Sequence, residues 1–435
     1  MRIIRGKKNV DSFLRLLRER ASGTGREIED TVRSILDDVR KNGDKAVIKY
    51  TKTFDSHRIN VLSIDSKEIS AYAAHADIRT VKALKFSAKR IRDFHRRQKN
   101  SSWYFSEKGI QLGQLLRPLD RVGVYIPGGT ASYPSTVLMN VIPAQVAGVK
   151  EIALCVPTPK GAVNPYVMAV IKILGIKEVY RIGGAQAIGA LAYGTKTVKK
   201  VDKIVGPGNI YVATAKKMVF GDVAIDLIAG PSEILIIADS SANPVFIAAD
   251  LLSQAEHDER SSAILITSSA SLAVAVKREI GLQLRNLKRK DIAQRSIYKY
   301  GALIVTGSLK QAAELSNKIA PEHLEIVTKN PRNILPMVKH AGAIFLGEWT
   351  PEALGDYAAG PNHTLPTSGT ARFSSPLGVY DFVKRSSLLS FSRDGFCRLA
   401  ETVKTIASIE GLEAHGNSIA VRERDFHGHR CTKGD

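Results

Sequence analysis

Arg-Val-Gly-Val-Tyr-Ile-Pro-Gly-Gly, residues 121–129, decides the fold. Residues 121–126 are apolar enough for a strand covered on both faces, and Pro127-Gly128-Gly129 ends it in a turn. Ser135 reads as the cap of a helix running toward Gly148, and 151–156 as the next strand. Asn164 and Pro165 give a further helix its cap and first-turn proline, and Gly175 ends it. More strands are predicted at 177–182, 203–205, 233–238, 262–267, 302–306, 324–328 and 342–346. Strand–helix–strand repetition at this spacing predicts parallel sheets with helices on both faces.

The order of these segments predicts two α/β modules, one inserted in the other, with small and mainly helical terminal segments. Residues 1–24 form an N-terminal arm. Residues 25–120 and 233–376 make the first module, with a helical N-terminal part; 121–232 is the inserted second; 377–435 is a C-terminal arm without a sheet pattern.

At 435 residues the chain is long enough for two or more cores, and its 44% hydrophobic and 24% charged content is that of a soluble globular protein. No run of about 18 apolar residues suggests a membrane span, and the basic N-terminus lacks a secretory core. Cys155, Cys397 and Cys431 are too scattered for a disulfide framework and read as reduced cytoplasmic thiols. The net charge is +21; residues 1–120 hold 27 basic against 15 acidic residues, over half of the excess. The block KRIRDFHRRQK at 89–99 would attract phosphates. Its charges alternate with apolar helical positions such as Ile91 and Phe94, as on a solvated helix face, so nucleic-acid binding is not the expected function.

Three constellations carry chemistry. The first is Ala-Pro-Glu-His-Leu at 320–324, where Pro321 separates a helix over 308–320 from the strand at 324–328. Glu322 and His323 suit acid–base catalysis if the backbone turns between them, because neighbours on a strand face opposite ways. A capping Glu beside a partly buried His is the structural alternative. The second is Gln254-Ala-Glu-His257 at the end of a helix capped at Asn243; residues three apart share a side and can clip a metal. A polar helix end or a satisfied core histidine is the commoner reading of those two residues before further ligands are counted. Asp356 and His363 in the glycine-bearing run 354–363, and His415, are candidate companions, while His427, His429 and Cys431 lie in a charged tail read as solvated. The third is a set of glycine turns, Gly128-Gly129, Gly183-Gly184, Gly206-Pro207-Gly208 and Gly230-Pro231, read at carboxyl ends of strands where such sheets bind ligands. None is a dinucleotide fingerprint, because Tyr211 stands where the third glycine belongs. A dinucleotide could still stack on Tyr125 and bond to the Gln186 and Asn209 amides; tight turns without a ligand are the alternative.

The strings GVYIPGG, IGGAQAI, VGPGN, AGPSE, DLLSQAEHD, PEHLEI and GDYAAGPNH, in this order, resemble histidinol dehydrogenases over most of residues 25–420. The resemblance implies an α/β homodimer with two Rossmann-like modules, terminal segments that embrace the partner, and active sites shared between subunits. It implies oxidation of L-histidinol to L-histidine in two NAD-dependent steps through bound L-histidinal, in the last stage of histidine biosynthesis. One zinc ion per subunit would be held by Gln254, His257, Asp356 and His415, with Glu322 and His323 as the acid–base pair. Ser232, His363 and Glu410 match substrate-contacting positions, and Tyr125, Gln186 and Asn209 match NAD-contacting ones. The alternatives are a related enzyme acting on another small alcohol and a metal-dependent hydrolase using the same Glu, His and zinc.

Overall fold

The structure is a computed structural model that describes residues 1–21, 25–55, 59–128 and 133–424. The chain divides into two units: Met1–Gln98 with Leu119–Phe382, and Lys99–Pro118 with Val383–Asp435.

The first unit holds two wholly parallel sheets, as the strand–helix alternation predicts. One has five strands in the order Glu178–Tyr180, Glu151–Cys155, Arg121–Tyr125, Lys203–Val205, Ala224–Ile225. The other has six, in the order Arg2–Ile4, Ala302–Val305, Ser262–Thr267, Glu233–Ala238, His323–Val327, Ala343–Leu346. All six residues of Glu233–Ala238 and of Ser262–Thr267 are buried, which accounts for their unbroken apolar reading. Burying each such Ile or Leu side chain stabilises the fold by roughly 1.5–3 kcal/mol.

Helix boundaries follow local chemistry. The Asn164 side chain accepts the N–H groups of Tyr166 and Val167, Pro165 sits in the first turn, and Gly175 closes the helix at φ 68°. Ser308 accepts the N–H of Gln311, and the Gln311 amide oxygen accepts from Gly307 at 2.9 Å. Ser135 is a correction: it is buried inside the helix Pro134–Ala147, whose cap residue is Tyr133, with Pro134 as the first residue.

The N-terminal region departs from the expected division. Arg2–Ile4, expected in an arm, pairs with Ala302–Val305 as the edge of the six-stranded sheet. Helix Arg26–Asn42 packs with Ile188 and Leu191 of the five-stranded module through Val32, Ile35, Leu36 and Val39, because its apolar stripe faces that way. The second unit contains a three-stranded antiparallel sheet, Val383–Phe391, Ile110–Pro118, Trp103–Glu107, followed by helices Arg393–Ile409 and Glu413–Glu423. A strand at 383–391 corrects the expectation that the C-terminal segment carries no sheet. Cys155 is a free buried thiol, whereas Cys397 is disulfide-bonded, against the expectation of reduced thiols throughout. The His427/His429/Cys431 tail lies outside the described residues. Among the described residues no helix is long and apolar enough to cross a membrane.

Candidate active site

Glu322 and His323 meet at the amino edge of the six-stranded sheet. Ala320 ends its helix at φ 53°, Pro321 blocks continuation, and His323 is the first residue of its strand. Glu322 therefore precedes the strand and escapes the alternation that would point it away. Gly342 backs the turn, since a Cβ there would lie 2.6 Å from the Glu322 carbonyl oxygen. Both side chains are buried, and His323 Nδ1 lies 3.7 Å from Glu322 Oε2.

One residue fixes the pair. The N–H of Glu233 donates to Glu322 Oε2 at 2.9 Å, and His323 Nδ1 lies 2.9 Å from the Glu233 carbonyl oxygen. A carbonyl only accepts, so Nδ1 carries the proton and Nε2 is the basic nitrogen of the neutral ring. Nε2 is buried without a hydrogen-bond partner and lies 3.8 Å from both Glu352 Oε1 and Asp356 Oδ1. Glu352 was missed in the sequence. Its signal is the four-residue spacing to Asp356, which puts both on one helical face. Asp356 lies in the π-helical turn Gly355–Ala359, a distortion frequent at functional sites. The basic helix Ile78–Arg96 holds that turn: Arg90 donates to the Ala359 carbonyl at 3.1 Å.

Gln254 and His257 reach the same edge because helix Pro244–Ala255 follows strand Glu233–Ala238 and returns antiparallel to it. His257 Nδ1 donates to the Ser253 carbonyl at 2.9 Å, which leaves Nε2 as its free lone pair. Gln254 Oε1 and His363 Nε2 are buried with no hydrogen-bond partner. Ser232 immediately precedes Glu233, and its carbonyl accepts from Ser262 N–H. Glu410 and His415 belong to the second unit, where both are exposed.

The site gathers four buried carboxyl groups, Glu233, Glu322, Glu352 and Asp356. Burial pushes Glu322 up to about 8 against the pull of His323, and burial raises Glu233 as well. Burial also raises Glu352, to about 7. It works against the His323 cation too, but Glu322, Asp356 and Glu352 outweigh it and hold the ring at about 10; a divalent cation among those carboxylates would cancel their pull and leave Nε2 able to accept a proton. Burial would raise Asp356, yet the His323 and His363 imidazoles keep it down at about 2. Burial lowers His363. Carboxylates crowded in a dry space, beside an amide oxygen left without a donor, fit a divalent cation. Among the described residues, His323, Glu352 and Asp356 bring their ligand atoms within 4.8 Å of one another. Asp356 is common to this group and to the set expected from the sequence. The nearby helix end, with its negative dipole, also favours a cation. A cavity of ≈ 550 Å³ opens beside His257, lined also by Ser87, Tyr133, Ser135, Arg289 and Tyr357.

The other expected cluster lies at the carboxyl edge of the five-stranded sheet, where strand order reverses beside Arg121–Tyr125. Tyr125 ends that strand; its ring is buried and its hydroxyl accepts from Gly184 N–H at 3.2 Å. Stacking on the ring, expected from the sequence, is therefore closed off. Gln186, in the first turn of helix Gly184–Tyr193, has both amide atoms buried without partners, so it retains hydrogen-bonding capacity for a polar ligand. Asn209 is exposed, and its Oδ1 caps helix Ile210–Val219. Gly206 must be glycine: φ is 111°, and a Cβ would lie 2.1 Å from the Tyr125 carbonyl oxygen. Gly230-Pro231, by contrast, precedes strand Glu233–Ala238 and so sits at the amino edge of its sheet, a correction to the carboxyl-end expectation.

Two parallel sheets covered by helices make this an α/β protein, and the comparisons make it a dehydrogenase. The histidinol dehydrogenase family profile matches residues 18–423, and the chain belongs to that family. The histidinol dehydrogenase of Syntrophotalea carbinolica is 55% identical over 401 residues, 92% of this chain and 93% of that one. The Bacillus subtilis enzyme is 52% identical, covering 96% of this chain and 98% of its own. A crystal structure of histidinol dehydrogenase from Elizabethkingia anophelis superposes with a TM-score of 0.92 at 38% identity, covering 98% of each chain.

Proposed function

We propose that this enzyme oxidises L-histidinol to L-histidine through L-histidinal, using NAD and one zinc ion per subunit. The observation that carries the reading is the double anchorage of Glu322 and His323 on Glu233. It leaves a basic nitrogen and a carboxylate facing one dry space.

His323 Nε2 accepts the proton of the primary alcohol while the carbinol C–H pair leaves as hydride. Bound NAD supplies the acceptor for that hydride. Glu322 takes a proton from the water that adds to the aldehyde carbon, and His323 takes the hydroxyl proton of the hydrate as the second hydride departs. Each substrate thus loses two hydrides and gains one water oxygen. Gln254, His257 and Asp356 would hold the zinc, with His415 as fourth ligand, and the ion when bound anchors the imidazole and amino nitrogens of the substrate. Glu352 would stand beside that set. Ser232, His363 and Glu410 would contact the substrate; Gln186, Asn209 and the Tyr125 hydroxyl would serve NAD. Burial excludes bulk water from the reacting carbon.

The C-terminal segment would complete the site of a second copy of the chain. Trp103, Tyr104 and Phe105 of the second unit are 52%, 66% and 51% exposed, an apolar edge suited to a partner. We read the enzyme as a homodimer with Glu410 and His415 crossing over. Mixing His323→Asn and His415→Ala chains tests this: shared sites give one intact site per mixed dimer and recovered activity, whereas unshared sites stay inactive. The chemistry is tested by adding L-histidinol and NAD to the purified protein and following NADH absorbance. A hydrolase gives none, and a dehydrogenase of another small alcohol responds to that alcohol instead.

A further inference from the structure

Residue 233 holds both members of the proposed acid–base pair through its backbone, and its own side chain forms a buried ion pair with a distant arginine, while backbone bonds from Ser368 and Glu322 also favour its charge. Arg20, near the end of helix Lys7–Ala21, forms an ion pair with Glu233 in which the side chains are 1% and 6% exposed. Arg20 is itself fastened. Its guanidinium donates to the Arg260 carbonyl at 2.8 Å, the Arg260 guanidinium returns a bond to the Arg20 carbonyl at 2.8 Å, and the Tyr300 ring lies 5.7 Å from its Cζ. Arg260 follows the His257 turn, so the same clasp ties the helix end carrying Gln254 and His257 to the strand start carrying Glu233.

We propose that Arg20 is a positioning residue for the acid–base pair, acting through the Glu233 carboxylate. Glu233 opens its strand, with Gly230, Pro231 and Ser232 just before it, so backbone pairing constrains it from one side only. Its N–H must point at Glu322 and its carbonyl at His323 Nδ1; a rotation of that residue breaks both bonds together and frees the imidazole to adopt the other tautomer. The buried ion pair adds a charged restraint on that rotation from the side chain. Removing one partner of such a pair leaves an uncompensated charge, whereas removing both is tolerated far better. Arg20 touches neither the pair nor the space in front of it, so its effect has to pass through Glu233.

The inference rests on the reading of Glu322 and His323 as the proton-transfer groups. The test compares Arg20→Met, Arg20→Lys, Glu233→Gln and the double variant Arg20→Met/Glu233→Gln in the full-length zinc-loaded enzyme. Arg20→Met should lower kcat roughly 10–100-fold for both L-histidinol and L-histidinal, the order expected for about an ångström of misplacement. KM for both substrates and zinc content should stay within about twofold of the parent, because no group that binds them is removed. Arg20→Lys, which keeps the charge and loses the fork, should fall between. The double variant should regain stability to urea but keep the kcat loss of either single variant, because all three lack the same restraint; kcat returning together with stability would mark a merely structural pair and overturn the proposal. If Arg20→Met does not fold, Glu233→Gln alone must show the same kcat loss at unchanged KM. Full kcat in Arg20→Met or in Glu233→Gln overturns the proposal, as does a double variant whose losses multiply. An active His323→Asn enzyme would overturn the underlying reading instead; an inactive one beside a fully active Arg20→Met would remove only the role of Arg20.

Discussion

Replacing His323 by Asn removes Nε2 while leaving an amide N–H within reach of the Glu233 carbonyl oxygen that Nδ1 now faces at 2.9 Å. The local fold therefore keeps its anchor. What disappears is the nitrogen 3.8 Å from Glu352 and Asp356, together with a tilted ring contact to Phe345 at 6.1 Å. Losing the packing costs roughly 1–2 kcal/mol of stability, which a fold of this size tolerates. Losing the base costs on the order of 10²–10⁴ in kcat, equivalent to about 3–5 kcal/mol of barrier. Zinc should remain, since Gln254, His257 and Asp356 are untouched. The assay is rapid-mixing measurement of NADH formation from L-histidinol, with metal analysis of the same sample. Alcohol oxidation within threefold of the parent would refute the role of His323. Loss of zinc in the variant would point instead to the His323–Glu352–Asp356 grouping as the metal site.

Glu322→Gln should impair oxidation of supplied L-histidinal far more than oxidation of L-histidinol to the aldehyde, because only the second step activates water; equal losses would contradict the division of labour. His257→Ala should release zinc along with activity, and full metal occupancy by elemental analysis would move His257 away from the metal. At the amino edge of the five-stranded sheet, Arg121 bridges Glu151 and Glu178, and its hydrogen bond holds the Glu178 carboxyl below the usual range. A lowered folded value gives stability that is present above the unfolded pKa of about 4.3 and is lost as pH falls through the folded one. Glu178→Gln should therefore destabilise the protein at neutral pH and converge with the parent in acid. Urea unfolding across that range checks it, and parallel curves would remove Glu178 from the acid limb.

Most strands of the two parallel sheets were legible because they are buried on both faces and punctuated by Gly, Pro and Asn; the two-residue, partly exposed Ala224–Ile225 was not. The antiparallel sheet was not. Trp103–Glu107 is exposed at every position and Val383–Phe391 at most, so neither shows the alternation that a one-sided core imposes. Arg2–Ile4, at three residues, is too short to carry a pattern. Within the site, Glu322, His323, Gln254, His257 and Asp356 announced themselves by type and spacing. Their place at the amino edge did not, because edge choice depends on where a helix returns, as Pro244–Ala255 does. Glu352 and Arg20 drew no reading from the sequence; the partner of Arg20 lies more than 200 residues away and leaves no local trace.

A four-electron oxidation in a single active site is tested most directly by the ratio of NADH formed to L-histidinol consumed. The proposed chemistry gives two NADH and one L-histidine per substrate, with no free aldehyde accumulating. One NADH with L-histidinal released, or substrate turnover without NADH, would contradict it.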